Sequence, residues 1–320
     1  MCGFACSSFI TMDTSKDDDS EQRLQECPSD SNQAGKARVC QGCPGQALCQ
    51  SGGGIDPDQK YIDVRMKAIK HKILVLSGKG GVGKSSIAAL LSMALGKREK
   101  TVGLCDLDIC GPSIPLILDV KDQQVVQTPY GWQPLKSRHF NVKVMSVGSL
   151  LQDHDSAVVW RGPRKTGMIK RFLKDTFWGR LDFLVFDTPP GTSDEHLTVV
   201  KCLKNVSPDG AVLVTTPQDI ALNTIKREIS FCRKMNLKII GVISNMCGYV
   251  CPCCHEEFDL FVNKGTQELC NQYGIEFLGR LPIDQEFVKC CEQGSSIYEK
   301  ENSTLTRDFD IIVDRILEKL

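Results

Sequence analysis

The sequence has no excess of charge of either sign, because lysine plus arginine and aspartate plus glutamate each total 39. A chain without net charge is not drawn as a whole to nucleic acid or to an anionic membrane. It also contains no apolar run that approaches the roughly 20 residues of a membrane span. Its first residues lack a basic segment followed by a long apolar core, so we expect no secretory signal and a cytoplasmic or nuclear location.

Cysteine, by contrast, is abundant, with 17 residues in the chain. In a reducing compartment such a number indicates metal or redox chemistry rather than disulfide bonds. Some cysteines stand singly in apolar or helical stretches, where cysteine usually serves as a small buried hydrophobe: Cys105, Cys202, Cys232 and Cys270. The adjacent pair Cys290 and Cys291 is poorly placed to chelate one ion. We predict a structural role for all of these.

The beginning of the chain differs in composition from the rest. Residues 17–21 are acidic, apolar periodicity is absent up to about residue 60, and the glycines at 52–54 form a flexible break. We therefore predict a disordered tail over residues 1–26, a cysteine-rich arm over 27–56, and one large domain over 57–320.

Apolar strand candidates alternate with helical stretches through the large domain. The strand candidates are 73–76, 102–105, 142–147, 183–186, 211–214, 239–243 and 277–278, and the helical candidates are 57–70, 86–95, 167–175, 196–201 and 222–235. This alternation predicts an α/β layered fold with a mainly parallel sheet flanked by helices. A final amphipathic helix over 305–320 carries several acids, so docking on the core is favoured over membrane anchoring.

The phosphate-loop template G-x-x-x-x-G-K-S/T is matched without substitution at residues 78–85. The loop lies between a strand candidate and a helix candidate, which argues against a merely structural glycine turn. Its backbone would wrap around phosphates, Lys84 would reach the β- and γ-phosphates, and the Ser85 hydroxyl would bind Mg²⁺. The predicted nucleotide contacts here are Gly78, Lys79, Gly80, Gly81, Val82, Gly83, Lys84, Ser85 and Ser86.

A second part of the nucleotide site is predicted in L-D-F-L-V-F-D-T-P-P-G-T at residues 181–192. Asp187 ends the apolar strand and would hold Mg²⁺, usually through water. Gly191 would belong to a switch loop whose amide senses the γ-phosphate. A solvent-facing acid at a strand end is the alternative for Asp187. The sequence therefore predicts a P-loop NTPase.

Two groups of cysteines have the spacing of metal ligands. C-P-x-C puts Cys251 and Cys254 on one turn, with Cys253 as an extra thiol between them. Two thiolates fill only half a coordination shell, so another segment or a second copy of the chain must complete it. The earlier group comprises Cys27, Cys40, Cys43 and Cys49. A lone central C-x₂-C pair with longer gaps favours an iron–sulfur site over zinc, and a redox-sensing thiol cluster remains an alternative.

The phosphate loop contains an extra lysine, Lys79, which gives it the "deviant Walker A" pattern. With this pattern the loop resembles the phosphate loop of MinD, ParA, the nitrogenase iron protein and the arsenite-pump ATPase. The resemblance implies that Lys79 crosses a dimer interface to the nucleotide of the other subunit. It also implies that Asp108 orients or deprotonates the attacking water, with Asp106 near Mg²⁺, and that Asn245 and Pro282 contact adenine. For Asp284 a helix cap and a binding role are both open.

The arm, D-x-D-I-C-G-P-S-I-P, W-R-G-P at 160–163, D-T-P-P-G-T-S-D-E-H and C-P-x-C together resemble the Mrp/nucleotide-binding-protein-1-type cytosolic iron–sulfur assembly scaffold ATPases. The resemblance runs from about residue 27 to the C-terminus; the first arm gap of twelve residues is one shorter than the family pattern. It implies a stable 4Fe–4S cluster on the arm, a labile one shared by two subunits, and ATP with Mg²⁺. The implied partners are a second copy or an arm-lacking relative, acceptor apoproteins and targeting proteins.

Three functions are thus considered. The leading one is an ATP-dependent scaffold that assembles 4Fe–4S clusters and transfers them to cytosolic and nuclear apoproteins. The second is an ATP-gated iron–sulfur electron-transfer protein, in which the cluster changes oxidation state but stays bound. The third is a MinD/ParA-type positioning ATPase on membrane or DNA, which the neutral net charge and the acidic last helix disfavour.

Overall fold

The computed structural model describes residues 56–150, 162–250, 256–259, 265–300 and 303–320, together with positions 36 and 261. The larger of the two units into which the chain divides spans Lys60–Leu320. The predicted tail and nearly all of the predicted arm lie outside the described residues.

The described part contains twelve strands: β1 (Ile69–Leu76), β2 (Val102–Asp106), β3 (Val126–Thr128), β4 (Gly131–Gln133), β5 (Leu135–Lys136), β6 (Lys143–Ser146), β7 (Leu181–Asp187), β8 (Gly210–Thr215), β9 (Ile239–Ser244), β10 (Gly248–Val250), β11 (Glu257–Asp259) and β12 (Phe277–Arg280). Eight of them form one sheet in the order β12-β9-β8-β1-β7-β2-β6-β5. Only β5 runs antiparallel, to its neighbour β6. The pairs β3–β4 and β10–β11 form separate antiparallel ribbons.

Helices cover both faces of the sheet. In the described residues they are α1 (Gln59–Lys67), α2 (Lys84–Lys97), α3 (Ile114–Ile117), α4 (Gly162–Asp175), α5 (Asp194–Leu203), α6 (Asp219–Lys234), α7 (Gly265–Tyr273), α8 (Gln285–Gln293) and α9 (Thr304–Leu317). One apolar core joins α2 and α9 to the sheet, and a second joins α4, α5 and α6 to it. The central strands are therefore buried on both sides, which is why they read as continuous apolar runs. The predicted layered fold is confirmed.

The last helix docks on the core, as predicted. Leu305, Phe309 and Ile316 are among its buried residues and belong to the core that also contains α2. Arg98 of the α2 C-cap donates to Asp314 at 2.5 Å and to the backbone oxygen of Asp310 at 3.0 Å. The acids of this helix thus pair with a basic side chain of the domain. No helix in the described ranges is long and apolar enough to cross a membrane.

Several element boundaries differ from the prediction, and two of them have a physical cause in the structure. Strand β1 begins at Ile69, four positions before the predicted start at 73. The Lys72 backbone N–H donates to Asp209 at 2.7 Å, and the His71 ring contacts the other carboxylate oxygen of Asp209 at 2.9 Å. Helix α4 begins at Gly162 rather than 167, because proline is tolerated in a first helical turn.

The isolated cysteines behave as small hydrophobes. Cys105, Cys202, Cys232 and Cys270 are buried and form no disulfide, and Cys290 is buried next to the half-buried Cys291. Burial raises the pKa of the Cys232 thiol to about 12 and that of Cys270 to about 11. Such thiols stay protonated at neutral pH and are poor metal ligands. The predicted structural role is confirmed for them.

Candidate nucleotide site

The phosphate loop connects the end of β1 to the start of α2. Gly83 is the N-cap residue of α2 and has a φ of 83°. Because glycine has no side chain, no side-chain hydrogen bond caps this end of the helix. A Cβ at Gly83 would lie 2.3 Å from Asn245 Nδ2, so both its conformation and its surroundings require glycine. The first-turn N–H groups of a 14-residue helix consequently face the loop without a capping side chain. A helix N-terminus of this kind binds phosphate.

Lys84, Ser85 and Asp187 meet at the floor of this loop. Lys84 Nζ lies 2.5 Å from Asp187 Oδ1 and 3.3 Å from Ser85 Oγ. Lys84 is 6% exposed and Asp187 is fully buried. Burial raises the pKa of Asp187, and the Lys84 charge opposes that rise. The structure thus brings together the three side chains predicted to hold phosphate and Mg²⁺.

One carboxylate oxygen of Asp187 shows whether a cation would fit this site. Its Oδ2 atom is buried and, in the described part of the chain, has no hydrogen-bond partner. A carboxylate oxygen left this way costs about 1–3 kcal/mol or more. A hydroxyl and a carboxylate are oxygen ligands of the type Mg²⁺ prefers, with water and substrate phosphates completing its shell. Ser85 and Asp187 therefore fit a hydrated Mg²⁺.

The D-x-D pair lies on the neighbouring strand. Asp106 ends β2 opposite Asp187, accepts from Ser146 Oγ at 2.8 Å, and accepts from the Asp108 N–H at 3.1 Å. Burial, with the negative charge of Asp187 next, raises the pKa of Asp106 well above its ordinary value. Two neighbouring buried carboxylates cannot both ionise easily, so a proton or a cation must be shared.

Asp108 stands at the mouth of the site, half-buried. Burial raises the pKa of its carboxyl, while the Lys84 charge and backbone N–H groups of Gly111 and Cys110 lower it. A carboxylate whose pKa is raised accepts a proton more readily, which suits a group beside an attacking water. The position of Asp108 is set by the loop that supplies those amides.

The predicted switch loop is attached to the phosphate loop. Gly191, with a φ of 77°, donates its N–H to the Ser77 backbone oxygen at 2.7 Å. Ser77 directly precedes the phosphate loop. The amide predicted to sense the γ-phosphate is therefore engaged by a carbonyl at that loop, and contact with phosphate requires an exchange of partners.

His196 is a site residue that the sequence reasoning left without a role. Thr188 Oγ1 donates to the Val75 oxygen at 2.9 Å, so it must accept from His196 Nε2 at 3.1 Å. The other ring atom, Nδ1, accepts from the Ser193 N–H at 3.2 Å. Burial lowers the pKa of His196 to about 4, which keeps the ring neutral. The ring thus connects the two ends of the switch loop. The spacing Ser193-x-x-His196, which resembles a capping box, was the only local sequence feature that could have indicated this contact.

The segment after β9 contacts the phosphate loop rather than open solvent. Asn245 is 7% exposed and donates from Nδ2 to the Val82 backbone oxygen at 3.0 Å. Its predicted partner was an adenine edge. Pro282 follows β12 and is partly exposed. Asp284 accepts from the Phe287 N–H at 2.9 Å and is the N-cap of α8, so the cap interpretation is confirmed.

The remaining predicted residues divide into two groups. Lys79 is exposed on the phosphate loop. The predicted cluster ligands Cys27, Cys40, Cys43, Cys49, Cys251 and Cys254 lie outside the described residues. Strand β10 ends at Val250, and β11 begins at Glu257, so these two strands flank the C-P-x-C segment in sequence. Within the described ranges, no three His, Cys, Asp or Glu side chains are grouped to hold a metal ion.

Comparison with known proteins gives a family and a set of similar structures. The model of the ParA family, described as NUBPL iron-transfer P-loop NTPase, matches residues 68–317. A nucleotide-binding protein from Archaeoglobus fulgidus, in complex with ADP and with cobalt found by PIXE, is 34% identical with a TM-score of 0.67. The alignment covers 78% of this chain and 96% of that one.

Two MinD proteins share the fold. The cell division ATPase MinD of Pyrococcus furiosus is 22% identical, with a TM-score of 0.58 over 78% of this chain and 99% of its own. The septum site-determining protein MinD of Pyrococcus horikoshii, complexed with Mg-ADP, is 21% identical, with a TM-score of 0.56 over 77% and 96%. At these identities the likeness supports the architecture alone.

Proposed function

The chain belongs to the ParA family of NUBPL iron-transfer P-loop NTPases, and we propose that it is an ATP-dependent scaffold for 4Fe–4S clusters. In this proposal it assembles clusters and transfers them to cytoplasmic or nuclear apoproteins. The ATPase domain is residues 57–320, the arm over 27–56 holds one stable cluster, and residues 1–26 form a tail. Neither nucleic acid nor membrane is a partner.

The observation that carries the proposal is the contact between the phosphate loop and the segment leading to C-P-x-C. Asn245 donates to the Val82 oxygen at 3.0 Å. The same segment then donates from the Cys247 N–H to the Leu281 oxygen at 2.9 Å and enters β10. Strand β10 ends at Val250, one position before Cys251. A nucleotide-induced shift of the loop would therefore act on the strand that leads into the cysteine pair.

The nucleotide site supplies the ATP-dependent part. Lys84 would bind the β- and γ-phosphates, Ser85 and Asp187 would hold Mg²⁺, and Asp108 would orient or deprotonate the attacking water. The exposed Lys79 would reach the nucleotide of a second subunit. Its position on the surface of the loop is compatible with a contact outside its own chain.

The cysteines supply the cluster-binding part. Cys27, Cys40, Cys43 and Cys49 provide the four thiolates of a complete 4Fe–4S site within the arm. Cys251 and Cys254 provide two, so two subunits facing each other would complete a shared site. The working unit in this proposal is a homodimer, or a heterotetramer with an arm-lacking relative. A cluster held between two subunits is released when they separate, which makes it transferable.

Anaerobic reconstitution with iron and sulfide tests the proposal. Wild-type protein should turn brown, and the double change Cys251→Ala and Cys254→Ala should remove the shared cluster while iron on the arm survives. The matched control is Cys253→Ala, which removes the neighbouring thiol and should leave the iron content unchanged. Protein that stays colourless and takes up only zinc would contradict the proposal. Mössbauer spectroscopy with iron quantification on full-length and arm-deleted protein assigns each cluster.

Incubation with an acceptor apoprotein separates the scaffold from an electron-transfer protein. The scaffold should lose iron to the acceptor in an ATP-dependent way, whereas an electron-transfer protein should keep its iron and change only its oxidation state. Co-sedimentation with liposomes or DNA tests the positioning ATPase, and we expect no binding to either.

A further inference from the structure

Lys165 connects two segments of the nucleotide site that are distant in sequence. It lies in the first turn of α4, two positions after Pro163 of the W-R-G-P motif, to which the proposed function assigns no role. Its ammonium nitrogen is 2.8 Å from Glu195 Oε1. Glu195 and, after it, the Cys110 thiol raise the pKa of Lys165, so the ammonium group lies beside both. One side chain thus joins the loop after β2 to the first turn of α5.

Both ends of this connection belong to segments that act on the γ-phosphate in the proposed function. Cys110 follows Asp108 by two residues, and its backbone N–H group lowers the pKa of the Asp108 carboxyl. Glu195 precedes His196, whose ring spans the switch loop by contacting Thr188 and Ser193. Lys165 therefore links the loop that orients the candidate base to the helix that anchors the switch loop.

The charge pair is not an ordinary surface ion pair. Glu195 is 6% exposed, and a carboxylate buried to that extent is stable only with a partner. Burial raises the pKa of Glu195, but hydrogen bonds from Lys165 and Ser193 outweigh it and lower the pKa overall. The Thr166 and Thr198 hydroxyls, 3.4 Å apart, join the same two helices next to the pair. The link is consequently buried at its Glu195 end, while the Lys165 side chain is 24% exposed.

We propose that Lys165 is a positioning residue for ATP hydrolysis, which holds the Asp108 loop and the switch helix α5 in one arrangement. The inference rests on the proposed function, because it requires hydrolysis at the Lys84–Asp187 site. When the γ-phosphate is bound, the base and the switch loop then move together. Without the link, each would reach its place independently, and the attacking water would be oriented in fewer bound states. The effect falls on turnover rather than on nucleotide affinity.

Steady-state ATPase kinetics of Lys165→Met, Lys165→Arg and Glu195→Gln test this. Lys165→Met should lower kcat by about tenfold to hundredfold, the range expected for misplaced reacting groups. KM for ATP and the Kd for ADP should stay within about twofold of wild type. Lys165→Arg should restore most of kcat, because the guanidinium also donates to a carboxylate. Lys201→Met, which removes an exposed lysine of the same helix α5, is the matched control and should be silent.

The double variant of Lys165→Met with Glu195→Gln controls for destabilisation of the protein by an unpaired Glu195 carboxylate, because it leaves no unpaired buried charge. Its kcat should match that of Lys165→Met alone, since both changes break one link. An unchanged kcat in Lys165→Met, beside an active wild type, would overturn this inference and leave the proposed function standing. So would a parallel loss of thermal stability and ADP affinity without rescue by arginine, since that marks a merely structural residue. A wild-type protein that does not hydrolyse ATP would overturn both.

Discussion

Replacement of Glu228 by glutamine should stabilise the protein at alkaline pH. Glu228 lies on the buried face of α6 and is 1% exposed. Neither of its carboxylate oxygens has a hydrogen-bond partner in the part of the chain that the structure describes. Burial raises the pKa of this carboxyl from 4.5 to about 7. The folded protein thus holds a group that is costly to ionise, whereas glutamine is neutral at every pH.

The magnitude follows from the linkage between protonation and folding. Below pH 4.5 the carboxyl is protonated in both the folded and unfolded states, so it contributes no pH dependence. Between pH 4.5 and about 7 only the unfolded state ionises, and the free energy of unfolding falls as pH rises. At 1.36 kcal/mol for each pKa unit, the full loss above pH 7 is about 3 kcal/mol. Glu228→Gln should therefore be more stable than wild type by about 3 kcal/mol at pH 8 and by less than about 1 kcal/mol at pH 5.

Urea denaturation of the metal-free protein at pH 5 and pH 8 measures this difference. The matched control is Glu292→Gln, which changes an exposed glutamate of α8 and should alter stability by no more than about 0.5 kcal/mol at either pH. Equal stability of Glu228→Gln and wild type at pH 8 would refute the reasoning, and lower stability of the variant would mean that the carboxylate is ionised and paired.

Two further predictions concern the hydrogen bond between Asn245 and the phosphate loop, and the last helix, α9. Asn245→Ala removes the hydrogen bond to the Val82 oxygen, worth about 0.5–1.5 kcal/mol; ADP affinity should fall by about tenfold at most, while ATP should no longer accelerate cluster transfer. A wild-type response to ATP would contradict this. Phe309→Ala should cost about 3–5 kcal/mol in thermal or urea unfolding because Phe309 is fully buried between α9 and the core. Ile311→Ala, at a position 52% exposed on the same helix, is its control and should cost much less.

The regular elements could be predicted because their signals are local. The strands of the sheet centre are buried on both faces, so their apolar runs stand out in the sequence, as at 183–186 and 211–214. Short ribbons such as β3–β4 and β10–β11 have no such run, and their pairing depends on residues beyond the strand itself. The boundaries of β1 depended on Asp209, which lies 137 positions from Lys72.

The cysteines illustrate the same division. A cysteine in an apolar stretch can be read as buried, and the structure confirms this for Cys105 and Cys270. The ligand role of Cys251 and Cys254 stays a prediction, as does that of the arm cysteines. The adenine contact of Asn245 likewise stays a prediction, and its amide donates to the Val82 oxygen, a partner that no local pattern indicated.

The sequence by itself determined the phosphate loop, since consecutive backbone groups and two adjacent side chains form it, and the spacing of glycines and lysine already specifies their geometry. It also determined the class of fold, because a strand that is buried on both faces of the sheet has a continuous run of apolar residues. Only the tertiary structure decided that Lys165 lies beside both Cys110 and Glu195, and that Glu228 has no hydrogen-bond partner among the residues the structure describes. Those facts depend on which remote segments become neighbours in the packed domain, and a charge or hydrogen-bonding group has no sequence pattern that names its distant partner.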